Sequence, residues 1–282
     1  MRNNEDRFGA GMAFQDAPPQ MVAQQGGTQL NFVAPTEFIE LPSGGKFYPQ
    51  GHPLYNKTTL EIKQMTSKEE DILTSKSLIK KGVVLDRLVE SLLLDKTIGV
   101  DDLLVADKNA IVVAARITGY GPEYETSVTC PECAQKSQYE FDLLEKLEQA
   151  SEEQEEKNLE LTDHGTFFVK LPKTGWNVEL RPLTSKDEKA AVKMFGETKK
   201  GEKEATLSDQ LKLMVVSIDG VVDRGMIERG ISVLPASDSR YLWKQYFAAV
   251  PQVDLRKTFS CSKCGFEDVL EVPIQAEFFW PK

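Results

Sequence analysis

All four cysteines of the chain lie in two short stretches, Cys130-Pro131-Glu132-Cys133 and Cys261-Ser262-Lys263-Cys264. Each is a Cys-x-x-Cys turn between strand-like runs, residues 124–129 and 137–141 around the first, 255–260 and 268–274 around the second. Thiols two residues apart on a tight turn can present both sulfurs to one metal ion. A structural zinc takes four ligands, and each turn offers two. The sequence therefore predicts one structural zinc held by Cys130, Cys133, Cys261 and Cys264. Unmetallated thiols or a disulfide are the plainer alternatives. A redox pair is the reactive one, because the motif lowers a thiol's pKa; such a motif normally opens a helix, whereas these turns lie between strands. Four protein ligands would leave no open position for reactive water.

The spacing is unusual. A zinc ribbon places roughly 15–20 residues between its pairs, and here residues 134–260, 127 in all, intervene. Closing a loop of that length costs roughly 4 kcal/mol by the logarithmic loop law. A structural zinc returns about 10–16 kcal/mol in favourable peptides, so the metal can close it if the fold brings the turns together.

An internal repeat would do that. Residues 107–130 align with 238–261 without a gap, at an offset of 131. Met65-Thr66-Ser67-Lys68-Glu69-Glu70 matches Leu183-Thr184-Ser185-Lys186-Asp187-Glu188 at 118, and residues 36–42 match 166–172 at 130. Three blocks in one order predict a tandem duplication in an α+β fold. Each copy would be a β-hairpin, a helical segment and a zinc-knuckle β-hairpin, the two knuckles forming a split zinc ribbon. The expected layout is a disordered arm over 1–34, repeat one over 35–144, an acidic helical linker over 145–164, and repeat two over 165–282. Pseudo-twofold symmetry would set the equivalent turns side by side.

The elements that must position the cysteines follow from local pattern. Residues 37–41 and 58–63 alternate as a hairpin, and residues 165–171 and 176–181 form a tighter one. Helix starts follow, with Ser67 and Ser185 as the expected caps, each three residues before a glutamate. Residues 83–94 carry an apolar helical stripe. Residues 108–117 are nearly all apolar and predict a buried helix, in which Arg116 needs a partner. Residues 195–206 predict an exposed insertion, residues 207–216 a helix capped by Ser208, and residues 238–250 an aromatic-rich helix. The apolar Phe278-Phe279-Trp280 is expected to dock on the body or on a neighbour.

Composition bounds the function. The 282 residues are 40% hydrophobic, enough for a real core, and the net charge is −10. That balance argues against broad binding to a phosphate backbone. No uninterrupted apolar run approaches the 18 residues of a membrane span, and the N-terminus lacks an apolar secretory stretch. Two Cys-x-x-Cys pairs in such a chain point to a reducing compartment and metal. Only two histidines occur, His52 and His164, neither beside a motif that would make it a base, and no Gly-x-Ser-x-Gly elbow is present. Gly44-Gly45-Lys46 lacks the spacing of a phosphate loop. No small-molecule substrate is indicated.

Several stretches in order carry a family likeness: Leu41-Pro42-Ser43 with Phe47-Tyr48-Pro49, residues 65–82, Asp102-Leu103-Leu104 with residues 107–110, Tyr120-Gly121-Pro122-Glu123-Tyr124, and Cys130-Pro131-Glu132-Cys133. Over about residues 37–145 the chain resembles the T4-type tailed-phage baseplate protein family. The resemblance implies a non-enzymatic protein of the contractile-tail baseplate hub, or one that helps assemble it. Its partners would be other baseplate hub or tail proteins. It would sit in the host cytoplasm during assembly, with a place in the finished virion left open. The alternative from the residues alone is a zinc-ribbon adaptor touching nucleic acid or the transcription machinery, for which Lys136, Arg256, Lys257 and Lys263 are the only basic support.

Overall fold

Alternating apolar residues make the first hairpin. β1 (Thr36–Glu40) pairs antiparallel with β2 (Thr59–Lys63), turning Ile39, Leu60 and Ile62 inward. The computed structural model describes residues 34–147, 160–195, 206–271, 274 and 276–280. The expected arm, apart from its last residue, lies outside these, as do most of the acidic linker and of the insertion; the linker's first residues, 145–147, end a short helical stretch over 143–147.

Three helices follow the hairpin: α1 (Ser67–Leu73), α2 (Lys76–Lys80) and α3 (Val84–Leu92). A 3-10 turn (Val100–Asp102) leads to α4 (Val105–Tyr120). The first knuckle is β3 (Glu123–Thr129) with β4 (Lys136–Asp142). The second half opens with β5 (Phe167–Lys170) and β6 (Asn177–Leu180), then α5 (Ser185–Phe195) and α6 (Leu207–Met214). β7 (Val215–Ile218) adds a third strand beside β6. Then come α7 (Arg224–Val233), α8 (Ala236–Ala249) and the second knuckle, β8 (Arg256–Ser260) with β9 (Glu267–Glu271). A 3-10 turn (Ala276–Phe279) closes the described chain. The fold is thus α+β, helices among small antiparallel sheets.

The sequence reading missed β7 and α7. In the first half, the stretch after α3 holds an isolated bridge of Leu93 to Ile62 and the 3-10 turn. In both halves a helix ends and its next residue, Leu93 or Val215, pairs with the second hairpin strand.

The expected caps are corrected by one residue or two. Thr66, not Ser67, caps α1: its backbone is extended, and the Glu69 carboxylate accepts from the Thr66 N–H at 3.0 Å. Thr184, not Ser185, does the same with Asp187, at 2.9 Å from its N–H and 2.8 Å from its hydroxyl. Thr206, not Ser208, caps α6 with Asp209. A carboxylate at the third helical position reaches back one turn whether it is Asp or Glu, so the Glu69-to-Asp187 change does not break the box. The Ser185 hydroxyl is buried with no partner among the described residues. Glu69 is also gripped by Ser91 and lies 3.9 Å from Lys63, while Asp187 takes a bidentate pair from Arg181. Burial raises both carboxyls, but these hydrogen bonds outweigh it and hold them below the usual carboxylate range.

A second matched pair lies deeper. Asp107 and Asp238, each near the start of a long helix, are fully buried. Asp107 accepts from the Ser43 N–H and hydroxyl and from Tyr48, so it staples the turn after β1. Asp238 accepts from the Lys173 and Thr174 N–H groups and the Thr174 hydroxyl, stapling the turn after β5. Burial dominates at Asp107 and lifts its carboxyl; at Asp238 burial also raises, but the two backbone donors and the hydroxyl win and hold it low. The signs follow. Asp238 contributes stability above the unfolded carboxylate value, lost as pH falls through its lowered one. Asp107 favours folding most in acid, and that contribution fades as pH rises through its raised value. Asn at 107 can turn its amide to the two hydroxyls, whereas Asn at 238 must set an N–H against a backbone N–H. Asp238→Asn is therefore expected to lower the thermal midpoint at neutral pH more than Asp107→Asn, a ranking that paired melting curves check.

The halves share one core. α4 runs through it with ten buried residues, every one from Ala106 to Arg116 except Asn109. Backbone bonds join the halves beside it, Val105 N–H to Leu183 and Ser185 N–H to Leu103. Lys108, nearly buried, pairs with Asp86 at 3.7 Å and with Glu188, and Lys189 bridges Asp86 and Asp101. Gly165 marks the closest approach: at φ +72° a Cβ there would sit 2.1 Å from the Phe47 carbonyl oxygen. Only glycine tolerates both that angle and that contact. Arg116 finds the partners it needs in the carbonyls of Gly121 and Glu123 and in the faces of Tyr120 and Tyr124. Phe278 and Phe279 dock on this chain's own body and are almost wholly buried.

Candidate metal centre

Each cysteine turn is built by the same two backbone bonds. In the first, Cys130 N–H donates to Gln135 and Ala134 N–H donates back to Cys130. In the second, Cys261 N–H donates to Phe266 and Gly265 N–H to Cys261. The residue after the second cysteine is left-handed in both, Ala134 at φ 55° and Gly265 at φ 71°. That twist swings both sulfurs of a turn to one side.

The structure brings the two turns together. The four sulfurs lie within 4.8 Å of one another. Cys130 Sγ is 3.6 Å from Cys264 Sγ, and Cys133 Sγ is 3.6 Å from Cys261 Sγ. Exchanging the turns maps one short pair onto the other, a local twofold arrangement. All four thiols are free, so no disulfide competes. Tetrahedral zinc with Zn–S near 2.3 Å sets sulfurs about 3.8 Å apart. The donor set and its spread match a closed four-thiolate site, so these four residues could hold a metal ion. Cys130 and Cys261 are buried, Cys133 is half-buried and Cys264 is exposed.

Backbone dipoles prepare the sulfurs. The N–H groups of Cys264 and then Lys263 point at Cys261 and pull its thiol down to about 6. Cys264 moves up instead: the Phe266 N–H lowers it, but burial and the crowding sulfurs of Cys133, Cys261 and Cys130 raise it more. One thiol that ionises early beside one that resists is what several sulfurs sharing a small volume produce, and a cation would relieve it.

A small hydrophobic cluster under the sulfurs, separate from the main core, holds Cys130, Phe259 and Cys261 with Val128, Tyr139 and Phe266 around them. Tyr139 is a contributor that sequence reasoning does not single out. Its ring lies 5.2 Å from Phe259, its hydroxyl donates to the Ser260 carbonyl at 2.9 Å, and it accepts the Ser260 N–H at 3.1 Å. It clamps the residue before Cys261 from the opposite knuckle. Carried past the cysteines, the offset of 131 sets Tyr139 against Leu270, a polar tip in one half alone. Tyr139→Phe keeps the ring and removes the clamp. It is expected to weaken metal retention about tenfold, the scale of outer-sphere losses, and to cost about 1 kcal/mol of stability. Competition with a chromophoric chelator, alongside urea unfolding, reads both.

Arg256 is forked onto Asp254 at 2.7 and 2.9 Å, and the Lys257 side chain lies outside the described residues. His52 stacks on Tyr48 and accepts the Leu54 N–H, a structural role. Among the described residues no helix is long and apolar enough to cross a membrane.

No curated protein and no solved structure matches the chain. A family model described as "T4 bacteriophage base plate protein" does, over residues 34–280, so the likeness seen over 37–145 extends through the second half as well. With both knuckles inside the matched span, the chain belongs to the T4-type phage baseplate protein family.

Proposed function

We propose that this chain is a non-enzymatic structural or assembly protein of a contractile-tailed phage baseplate hub, with Cys130, Cys133, Cys261 and Cys264 holding one structural zinc. The observation that carries this reading is the meeting of four thiols from two turns that stand 127 residues apart within a family-matched span. A closed shell of that kind fastens two distant segments and leaves no site for chemistry. When bound, the metal supplies cross-linking charge; the chain supplies two preformed turns and the Tyr139 clamp. The protein works by contact with other baseplate hub or tail proteins, in the host cytoplasm during assembly and then in the tail baseplate.

The two halves descend from one doubled unit of hairpin, helices and knuckle, with repeat one over 35–144 and repeat two over 165–282. Support comes from paired contacts at equivalent positions: the Thr66 and Thr184 capping boxes, the Asp107 and Asp238 turn staples, and the crossed sulfur pairs. The nucleic-acid adaptor is disfavoured by the net charge of −10 and by the neutralised Arg256.

Two measurements test the reading. Elemental analysis of monomeric protein should return one zinc per chain; metal found only in dimers, or none, removes the intrachain staple. Quantitative mass spectrometry of purified tails and assembly intermediates should find the chain with hub proteins; its absence from both removes the baseplate role.

A further inference from the structure

Two exposed phenylalanines stand at equivalent places. Phe38 on β1 is 72% exposed and Phe168 on β5 is 49% exposed. Each lies on the outermost strand of its sheet. Pairing sets Phe38 directly opposite Glu61 and Phe168 opposite Glu179. A threonine two residues earlier holds each carboxylate: Thr36 donates to Glu61 at 2.8 Å, and Thr166 to Glu179 at 2.6 Å, with Ser217 adding a second bond to Glu179. Among the described residues neither carboxylate has a cationic partner. Threonine, phenylalanine and glutamate thus recur as one surface unit in each half, an aromatic face beside a fixed, unneutralised charge.

Among the described residues the strand edges are open as well. Bonds from Leu41 N–H to Thr58 and from Gln64 N–H to Pro35 fix which residues of β1 bond to β2. The alternate ones, Thr36, Phe38 and Glu40, therefore turn their main-chain groups outward. Leu171 N–H to Trp176 does the same for β5, leaving Phe168 and Lys170 facing out. Alongside β1 runs a groove of about 260 Å³ with Ala114, Ile117, Leu144 and Leu147 in its walls.

We propose that these edges are two docking points for extended, arginine-bearing segments of a partner protein. An added strand would complete the open ladder. Its outward side chain next to the phenylalanine lies within arginine's reach of the glutamate one strand further on. A guanidinium can stack on the ring and fork to the carboxylate at once, which a lysine cannot. Its inward side chains, alternating with these, enter the apolar groove beside β1. The preferred segment therefore alternates apolar residues with arginine. The β1 point is the stronger, because Glu40 adds charge where its counterpart is Lys170. The proposal is independent of the baseplate role.

The test uses the full chain and a capped peptide, Val-Arg-Val-Arg-Val-Arg-Val, titrated by calorimetry and by backbone amide shifts. Two peptides per chain are expected, with unequal affinities. Phe38→Ala should abolish the tighter site and Phe168→Ala the weaker one, each reducing stoichiometry from two to one. Glu61→Gln should weaken the tighter site about tenfold. All three side chains are exposed, and unchanged melting curves will show that the variants fold. A peptide with glutamate for arginine should bind at least tenfold more weakly. No binding, binding indifferent to both phenylalanine changes, or equal binding of the acidic peptide overturns the proposal.

Discussion

Cys261→Ser is expected to empty the metal site and loosen the tips of the two knuckles from one another while the helical body stays folded. The sulfur lost belongs to a crossed pair, so its removal unbalances both turns at once. Losing a direct ligand should weaken zinc binding by more than the 10- to 100-fold typical of an outer-sphere contact. The cluster beneath the sulfurs is too small to hold the hairpins together by burial, with only Cys130, Phe259 and Cys261 fully inside it. The main core draws on both halves without using any of the three. Metal per chain should fall from one towards zero. Amide exchange should quicken in β3, β4, β8 and β9 and stay slow in α3 and α4, with helical circular dichroism unchanged. A variant that keeps its metal and its knuckle protection would show that the tetrad is no metal centre. Global unfolding would show that the staple supports the body too.

The four-cysteine cluster was legible because its signal is local chemistry. Cysteines two residues apart announce themselves, and the alignment of residues 107–130 with 238–261 implied that the turns could meet. The hairpins and α3, α4 and α8 were legible through period. What failed was one-residue logic. Overlapping boxes, Thr66 with Glu69 and Ser67 with Glu70, look alike in sequence; the decision rests on which residue is still extended, and that is set by how the following stripe packs. β7 was hidden because four residues between two helices carry no period of their own. Its existence depends on β6 being there to receive it. The roles of Asp107, Asp238 and Tyr139 depend on hydrogen-bond partners 59 to 121 residues away, which no window along the chain contains.

Phe279→Ala should cost about 3–5 kcal/mol, the range for removing a fully buried aromatic ring, out of the 5–15 kcal/mol that a folded domain commonly has. Phe279 packs edge-on against Tyr120 at 6.2 Å, and Phe278 stacks on Tyr124 at 5.2 Å. Those two tyrosines enclose the Arg116 guanidinium. The tail therefore does more than fill space: it seals a buried charge whose polar partners are carbonyls of the turn into β3. Burial already pushes that arginine down from its ordinary value, so water entering the cavity would recover part of the loss, and the low end of the range is expected. Tyr124 stands at the base of the first knuckle, and Phe278 follows the second. Each hairpin pair is thus fastened twice, by sulfurs at the tip and by aromatic packing at the base. Either fastening alone keeps the hairpins near one another and limits the chain entropy released when the other goes. The Cys261→Ser, Phe278→Ala double variant should accordingly lose more stability than the two single changes predict together. Urea unfolding of the four proteins in the cycle measures that excess; simple additivity would mean that tip and base act independently.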